Sequence, residues 1–128
     1  MEFTIKTLIN ASPQEVYDAW LSSESHSNMT GGEAIISGNI GEAFSAWDGY
    51  IEGKNILLVP HNRIIQSWRT SQFEPEEPDS RIEIVLKDIN GITELTLIHS
   101  NLSESGGHYR QGWEEHYFKP MKKYFSSK

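Results

Sequence analysis

The feature that most constrains this chain is an aromatic stripe near its end: Tyr109, Trp113, Tyr117, Met121 and Tyr124 recur every three or four residues behind the breaker Gly106-Gly107. That spacing lies along one face of one helix. A helix with so broad an apolar face needs an equally broad apolar partner. The residues before it read mostly as β-strand, so the expected partner is a sheet.

Local signals supply the rest of the order. Phe3 to Ile9 alternates as a strand, and Ser12-Pro13-Gln14-Glu15 then provides an N-cap, a proline at the first helical position and a capping-box glutamate. A helix from Pro13 to Leu21 follows, with Val16, Tyr17, Trp20 and Leu21 at helical spacing. The polar stretch from Ser22 to Thr30 reads as a loop or one further helical turn, closed by Gly31-Gly32. After it the punctuation is that of hairpins, since Asp48-Gly49 and Asn90-Gly91 accept positive φ at both centres of a tight turn. If Asn90-Gly91 form the second turn, Ile89 faces Ile92 and Lys87 faces Glu94, while Leu86, Ile84 and Ile82 stack on Leu95, Leu97 and His99. His99 then ends an apolar row and points toward the core. At the first turn Trp47 pairs with Tyr50, and Phe44 covers the strand glycine Gly53. Ile56 to Val59 and Ile64 to Trp68 complete the strands. The acidic, proline-bearing run from Glu74 to Asp79 is a solvated connector.

The predicted class is therefore α+β. A curved antiparallel sheet of about six or seven strands wraps around a long C-terminal helix, with one or two short helices after the first strand. Residues 1–128 are expected to form a single domain, and a chain of 128 residues buries roughly two-thirds of its unfolded surface. A curved sheet and a straight helix leave space between them. With 11 basic against 18 acidic residues and a net charge of −7, a nucleic-acid partner is not expected. No cysteine is present for disulfide or thiolate chemistry. Met1-Glu2-Phe3-Thr4 lacks the basic and apolar regions of a leader, and no apolar run approaches the roughly 20 residues of a membrane span, so a cytoplasmic location is expected.

Four tryptophans, five tyrosines and five phenylalanines exceed what a small core needs, which points to a lined cavity. Its candidate residues are Trp20, Phe44, Trp47, Trp68, Phe73, His99, Trp113 and Tyr117. Each has a plainer reading: Trp113 and Tyr117 also suit helix-to-sheet packing, Trp47 an exposed turn, and His99 a strand-end histidine. Gln66, His99, Ser100 and Tyr117 are the polar groups expected among the aromatics, with His99, Ser100 or Tyr117 orienting a ligand. The segment from Ser22 to Gly32 would gate access. His61 lies in a Pro60-His61-Asn62 turn and His26 in a polar connector. His108 and His116 are about 12 Å apart by helix rise, too far to share an ion, so no metal site and no cofactor are expected. No serine has the setting of an activated nucleophile, and neither glycine pair matches a phosphate loop, so no catalytic residue is assigned. Gly112 implies either close backbone approach or tolerance near a helix start. Pro120 removes the bond to the His116 carbonyl and should kink the helix.

In this order, Ile40-Gly41-Glu42-Ala43-Phe44, Asp48-Gly49, Gly53, Pro60, Ile65, Trp68-Arg69, Thr93, Leu95-Thr96-Leu97, Gln111-Gly112-Trp113 and Tyr117-Phe118 resemble the Hsp90 ATPase activator homologue family. The likeness covers essentially the whole chain, which looks more particularly like the C-terminal domain of the eukaryotic activator, in the START-related, birch-pollen-allergen-like superfamily. It implies a helix-grip fold with a cavity under the C-terminal helix. That superfamily includes lipid carriers, hormone binders, cyclases and co-chaperones, so the fold alone does not select a function. Three readings follow. The first is a non-enzymatic protein, monomer or homodimer, that holds a hydrophobic small molecule between sheet and helix. The second is a regulator that binds an Hsp90-type chaperone and stimulates its ATPase. The last is a cyclase- or hydrolase-like enzyme using a cavity histidine or tyrosine.

Overall fold

Residues 1–126 are described by a computed structural model of the protein. Strand β1 (Phe3–Ile9) leads through α1 (Pro13–Trp20) and α2 (Ser23–Thr30) into five further strands. These are β2 (Ala43–Ala46), β3 (Ile51–Val59), β4 (Arg63–Thr70), β5 (Ser80–Ile89) and β6 (Ile92–Ser100). All pairings are antiparallel, in one curved six-stranded sheet of order β1-β6-β5-β4-β3-β2.

The β5–β6 hairpin has the register its turn dictates. Lys87 faces Glu94, and Leu86, Ile84 and Ile82 face Leu95, Leu97 and His99. Asn90 and Gly91 carry the positive φ values of 54° and 94° that match the twist of the flanking strands. Ile82, Ile84 and Leu86 are buried in the same cluster as Trp113, Tyr117 and Met121, so the apolar face of the sheet is the one the helix covers. On the other face Arg63 pairs with Glu83. Phe44 lies opposite Gly53 as expected. A Cβ on Gly53 would sit 1.9 Å from the Ser67 carbonyl oxygen and 2.8 Å from the Phe44 ring, so close approach of β4 accounts for this glycine. The first turn keeps its register too: the Tyr50 N–H donates to the Trp47 carbonyl at 3.1 Å.

Two helical regions depart from expectation. Helix α1 has its capping box, with Ser12 Oγ accepting from the Glu15 N–H and Glu15 Oε1 accepting from the Ser12 N–H. The Ser22 to Thr30 stretch, however, is neither loop nor single turn. It is an eight-residue helix, capped by Ser22 Oγ at the Ser25 N–H and ended by Gly31 at φ 90°. Its serines conceal an inward face made by His26 and Met29, both buried.

The C-terminal helix is also not uniform. A 3₁₀ turn (Glu104–His108) enters α3 (Tyr109–Trp113), a π segment follows (Glu114–Phe118), and α4 (Lys119–Ser126) closes the described chain. The buried row is Tyr109, Trp113, Tyr117, Met121 and Phe125, so Phe125 takes the last position and Tyr124 is only partly buried. A strict four-residue repeat drifts by about 40° per step on a 3.6-residue helix. The wider π turn, marked by the Lys119 N–H reaching back to the Glu114 carbonyl, unwinds that drift and holds the row against the sheet. It ends two residues before Pro120, which has no N–H for the His116 carbonyl.

Candidate functional site

Where the sheet curves away from this helix, a cleft of about 570 Å³ opens. Ile51 and Trp68 border it from the sheet, Trp47 from the β2–β3 turn, and Gly112, Trp113 and Tyr117 from the helix. Gly112 forms open wall: a Cβ built there meets no atom within 4 Å. The expectation of close backbone approach at Gly112 is therefore incorrect, and the missing side chain instead enlarges the cleft.

Of the eight sequence candidates, Trp47, Trp68, Trp113 and Tyr117 come together around this space. Phe73 borders a neighbouring pocket of about 200 Å³ beside Tyr109. Trp20, Phe44 and His99 lie in the core and border neither space. They form the layer behind: the Trp20 ring lies 5.1 Å from Tyr117 and 6.4 Å from Trp113, and His99 lies 4.6 Å from Trp68. Phe44 covers Gly53 instead. Trp47 is not the loose turn residue its position allowed, because it packs over Gly32, where a Cβ would come within 2.7 Å of its ring. Its indole also meets the His116 ring edge-on at 5.6 Å. Trp47 Nε1 is buried without a hydrogen-bond partner among the described residues.

The polar groups expected to orient a ligand are already engaged. His99 is wholly buried; Trp113 Nε1 donates to its Nδ1 at 3.0 Å. That leaves the proton on Nε2, which donates to Ser80 Oγ at 2.9 Å, and Ser80 in turn donates to the Trp68 carbonyl at 2.6 Å. Burial draws the His99 pKa down from 6.5 to about 3, so the ring is neutral. Tyr117 donates to His26 Nε2 at 3.0 Å, and His26 Nδ1 donates to the Trp20 carbonyl at 2.8 Å. Burial pushes the Tyr117 phenol up and the His26 imidazole down, the latter partly offset by its bond to Trp20. His26 is therefore a core residue and not part of a polar connector. The helix that carries it is locked to Tyr117 and does not border the cleft, so the expected gate at Ser22 to Gly32 is not seen. Gln66 is buried with both amide ends used, by Trp20 Nε1 at 3.3 Å and Asn55 Oδ1 at 2.8 Å. Ser100 pairs with Arg81 in the row opposite to that of His99.

His108 and His116, weighed from the sequence only as a metal pair, and Gln72, which sequence reasoning did not single out, complete the rim. The Tyr109 hydroxyl meets Thr70 Oγ1 at 2.6 Å and Gln72 Oε1 at 3.5 Å, and the Tyr50 hydroxyl donates to Gln72 Oε1 at 2.9 Å. Gln72 follows β4 outside any periodic pattern, so no sequence signal marks it. The arrangement suits burial of an apolar ring between aromatic walls, with polar contacts confined to the rim. Among the described residues no three His, Asp or Glu side chains converge in the manner of a metal site. No described helix is long and apolar enough to cross a membrane.

Comparison with known proteins supplies an independent line. The family described as Activator of Hsp90 ATPase homolog 1-like protein matches residues 10–126. The human Activator of 90 kDa heat shock protein ATPase homolog 1 is 30% identical over 125 residues, 97% of this chain and 37% of that protein. The chain thus spans about a third of the length of such relatives. Among solved structures, an Hsp90 activator from Plasmodium falciparum superposes with a TM-score of 0.84 at 19% identity, covering 93% of this chain and 91% of that one. The Aha1 dimer from Colwellia psychrerythraea gives 0.77 at 18% identity over 94% and 93%. At those identities the two structures attest the fold alone.

Proposed function

The chain belongs to the Activator of Hsp90 ATPase homolog 1-like family, and from that premise we propose that it is a binding protein whose cleft holds a hydrophobic small molecule. The observation that carries this reading is the aromatic cleft of about 570 Å³, with Gly112 left bare in its wall. A ligand burying the apolar area of one tryptophan side chain, about 250 Å², gains roughly 6 kcal/mol from desolvation, before the costs of association. Residues 1–128 act as one unit in this reading, with sheet and helix each supplying one wall. Titration with anilinonaphthalene sulfonate tests it, read by probe emission and by tryptophan quenching. Saturable binding is expected in the native protein and should be lost in Gly112→Leu, whose side chain would occupy the cleft. Absence of saturable binding, or binding that Gly112→Leu leaves intact, overturns the proposal.

A second reading, regulation of an Hsp90-type chaperone, is favoured by the likeness to the human activator along 97% of this chain. It concerns the surface, and both functions can reside in one molecule. Stimulation of chaperone ATPase turnover by equimolar protein is the expected result. Unchanged turnover rejects it.

A further inference from the structure

We infer that the cleft selects apolar ring compounds carrying a hydrogen-bond-acceptor oxygen, and that Gln72 is the residue that reads this oxygen. The inference rests on the reading of the cleft as a ligand site and adds the chemistry of the ligand. The interior polar atoms are committed elsewhere: both nitrogens of His99 are bonded, Tyr117 donates to His26, and Gln66 is held at both ends. The rim amide of Gln72 is different. Its Oε1 accepts from the Tyr50 hydroxyl at 2.9 Å and, more loosely, from the Tyr109 hydroxyl at 3.5 Å. Thr70 Oγ1, 2.6 Å from the Tyr109 hydroxyl, fixes that phenol, and the Gln72 backbone N–H donates to the same Thr70 oxygen at 3.2 Å. Two phenols on Oε1 set the orientation of the amide. Its Nε2 then stands at the exposed rim as a donor for which no described residue supplies an acceptor.

A donor pinned in place at the mouth of an apolar cleft discriminates by chemistry. A ketone, ester, ether or hydroxyl oxygen on the bound ring accepts from it, whereas a hydrocarbon of the same shape displaces the water that serves this exposed donor and offers no acceptor in return. The cleft supplies shape and apolar burial, and Gln72 supplies orientation.

Acetylnaphthalene and isopropenylnaphthalene form a matched probe pair, differing only in an oxygen replaced by a methylene group. Calorimetric titration of the native protein should show the ketone bound about tenfold more tightly than the hydrocarbon. Gln72→Glu keeps an acceptor for Tyr50 and Tyr109 and replaces the donor by a second acceptor. It should erase the ketone preference, and an unchanged near-ultraviolet circular dichroism spectrum shows that the aromatic packing around the cleft is intact. If both probes bind and their ratio is the same in native protein and Gln72→Glu, the assignment to Gln72 is wrong although the cleft is a ligand site. If the native protein binds neither probe, the ligand-site reading fails and this inference fails with it.

Discussion

Acidification should destabilise this protein well above the range in which carboxylates protonate, and His99 is the principal reason. Its ring is wholly buried, each nitrogen is bonded, and its pKa is drawn from 6.5 to about 3 by desolvation. Above pH 6.5 the ring is neutral in both folded and unfolded chains and adds no pH dependence. As pH falls below 6.5 the unfolded chain takes up a proton that the native core refuses, so stability declines, and the decline continues until the folded ring itself protonates near pH 3. Each pH unit within that interval removes about 1.4 kcal/mol, so between pH 7 and pH 5 His99 alone accounts for a loss of about 2 kcal/mol. His26, also lowered by burial, adds to the loss with the same sign. Urea unfolding at half-unit pH steps measures the slope. The His99→Gln variant, which keeps a neutral donor and acceptor, should be less stable at pH 7 and should show a shallower acid slope. Nitrogen-detected NMR of the native imidazole should report a neutral Nε2–H tautomer throughout. A flat stability profile from pH 7 to pH 5, or a folded-state His99 that titrates near 6.5, would refute this account of the core.

Other substitutions read separate parts of the structure. Gly112→Ala adds a methyl group to open space and removes the helix cost of glycine, so thermal unfolding should show a gain of about 0.8 to 1 kcal/mol. Gly53→Ala drives a Cβ into the Ser67 carbonyl at 1.9 Å and should cost about 1 to 3 kcal/mol or more in urea titration. Ser80→Ala leaves His99 Nε2–H without its acceptor and should cost about 1 to 3 kcal/mol, with a visible change in the His99 NMR signals. Trp47→Phe removes a buried N–H that has no partner while retaining an aromatic ring, so its thermal midpoint should be no lower than that of the native protein.

Much of the architecture was legible because it depends on short-range rules. The register of β5 on β6 follows from Asn90-Gly91 alone, since a two-residue turn leaves only one way to align the flanking residues. The capping box at Ser12 and Glu15 likewise needs only three residues of separation. A second short helix was among the expectations, but the length of α2 and its inward face were not legible, because that face consists of His26 and Met29 among serines, and burial of a histidine depends on partners distant in the chain. The π turn at Glu114–Phe118 was hidden for a related reason: periodicity shows that a face is apolar, but the sheet decides how far the helix unwinds to keep that face in contact.

The site divides along the same line. Sequence alone identified a strand row ending in His99, a helix row bearing Trp113 and Tyr117, and an aromatic content that calls for a large apolar interior, because side-chain direction follows from the period of each element. Only the tertiary structure decided which of these groups meet open space. The proton of His99 is directed to Ser80, and that of Tyr117 to His26, across separations of 19 and 91 residues that no local pattern encodes. The bare wall at Gly112 and the rim amide of Gln72 became features of one cleft for the same physical reason: a cavity is what remains between packed elements, and no single segment contains it.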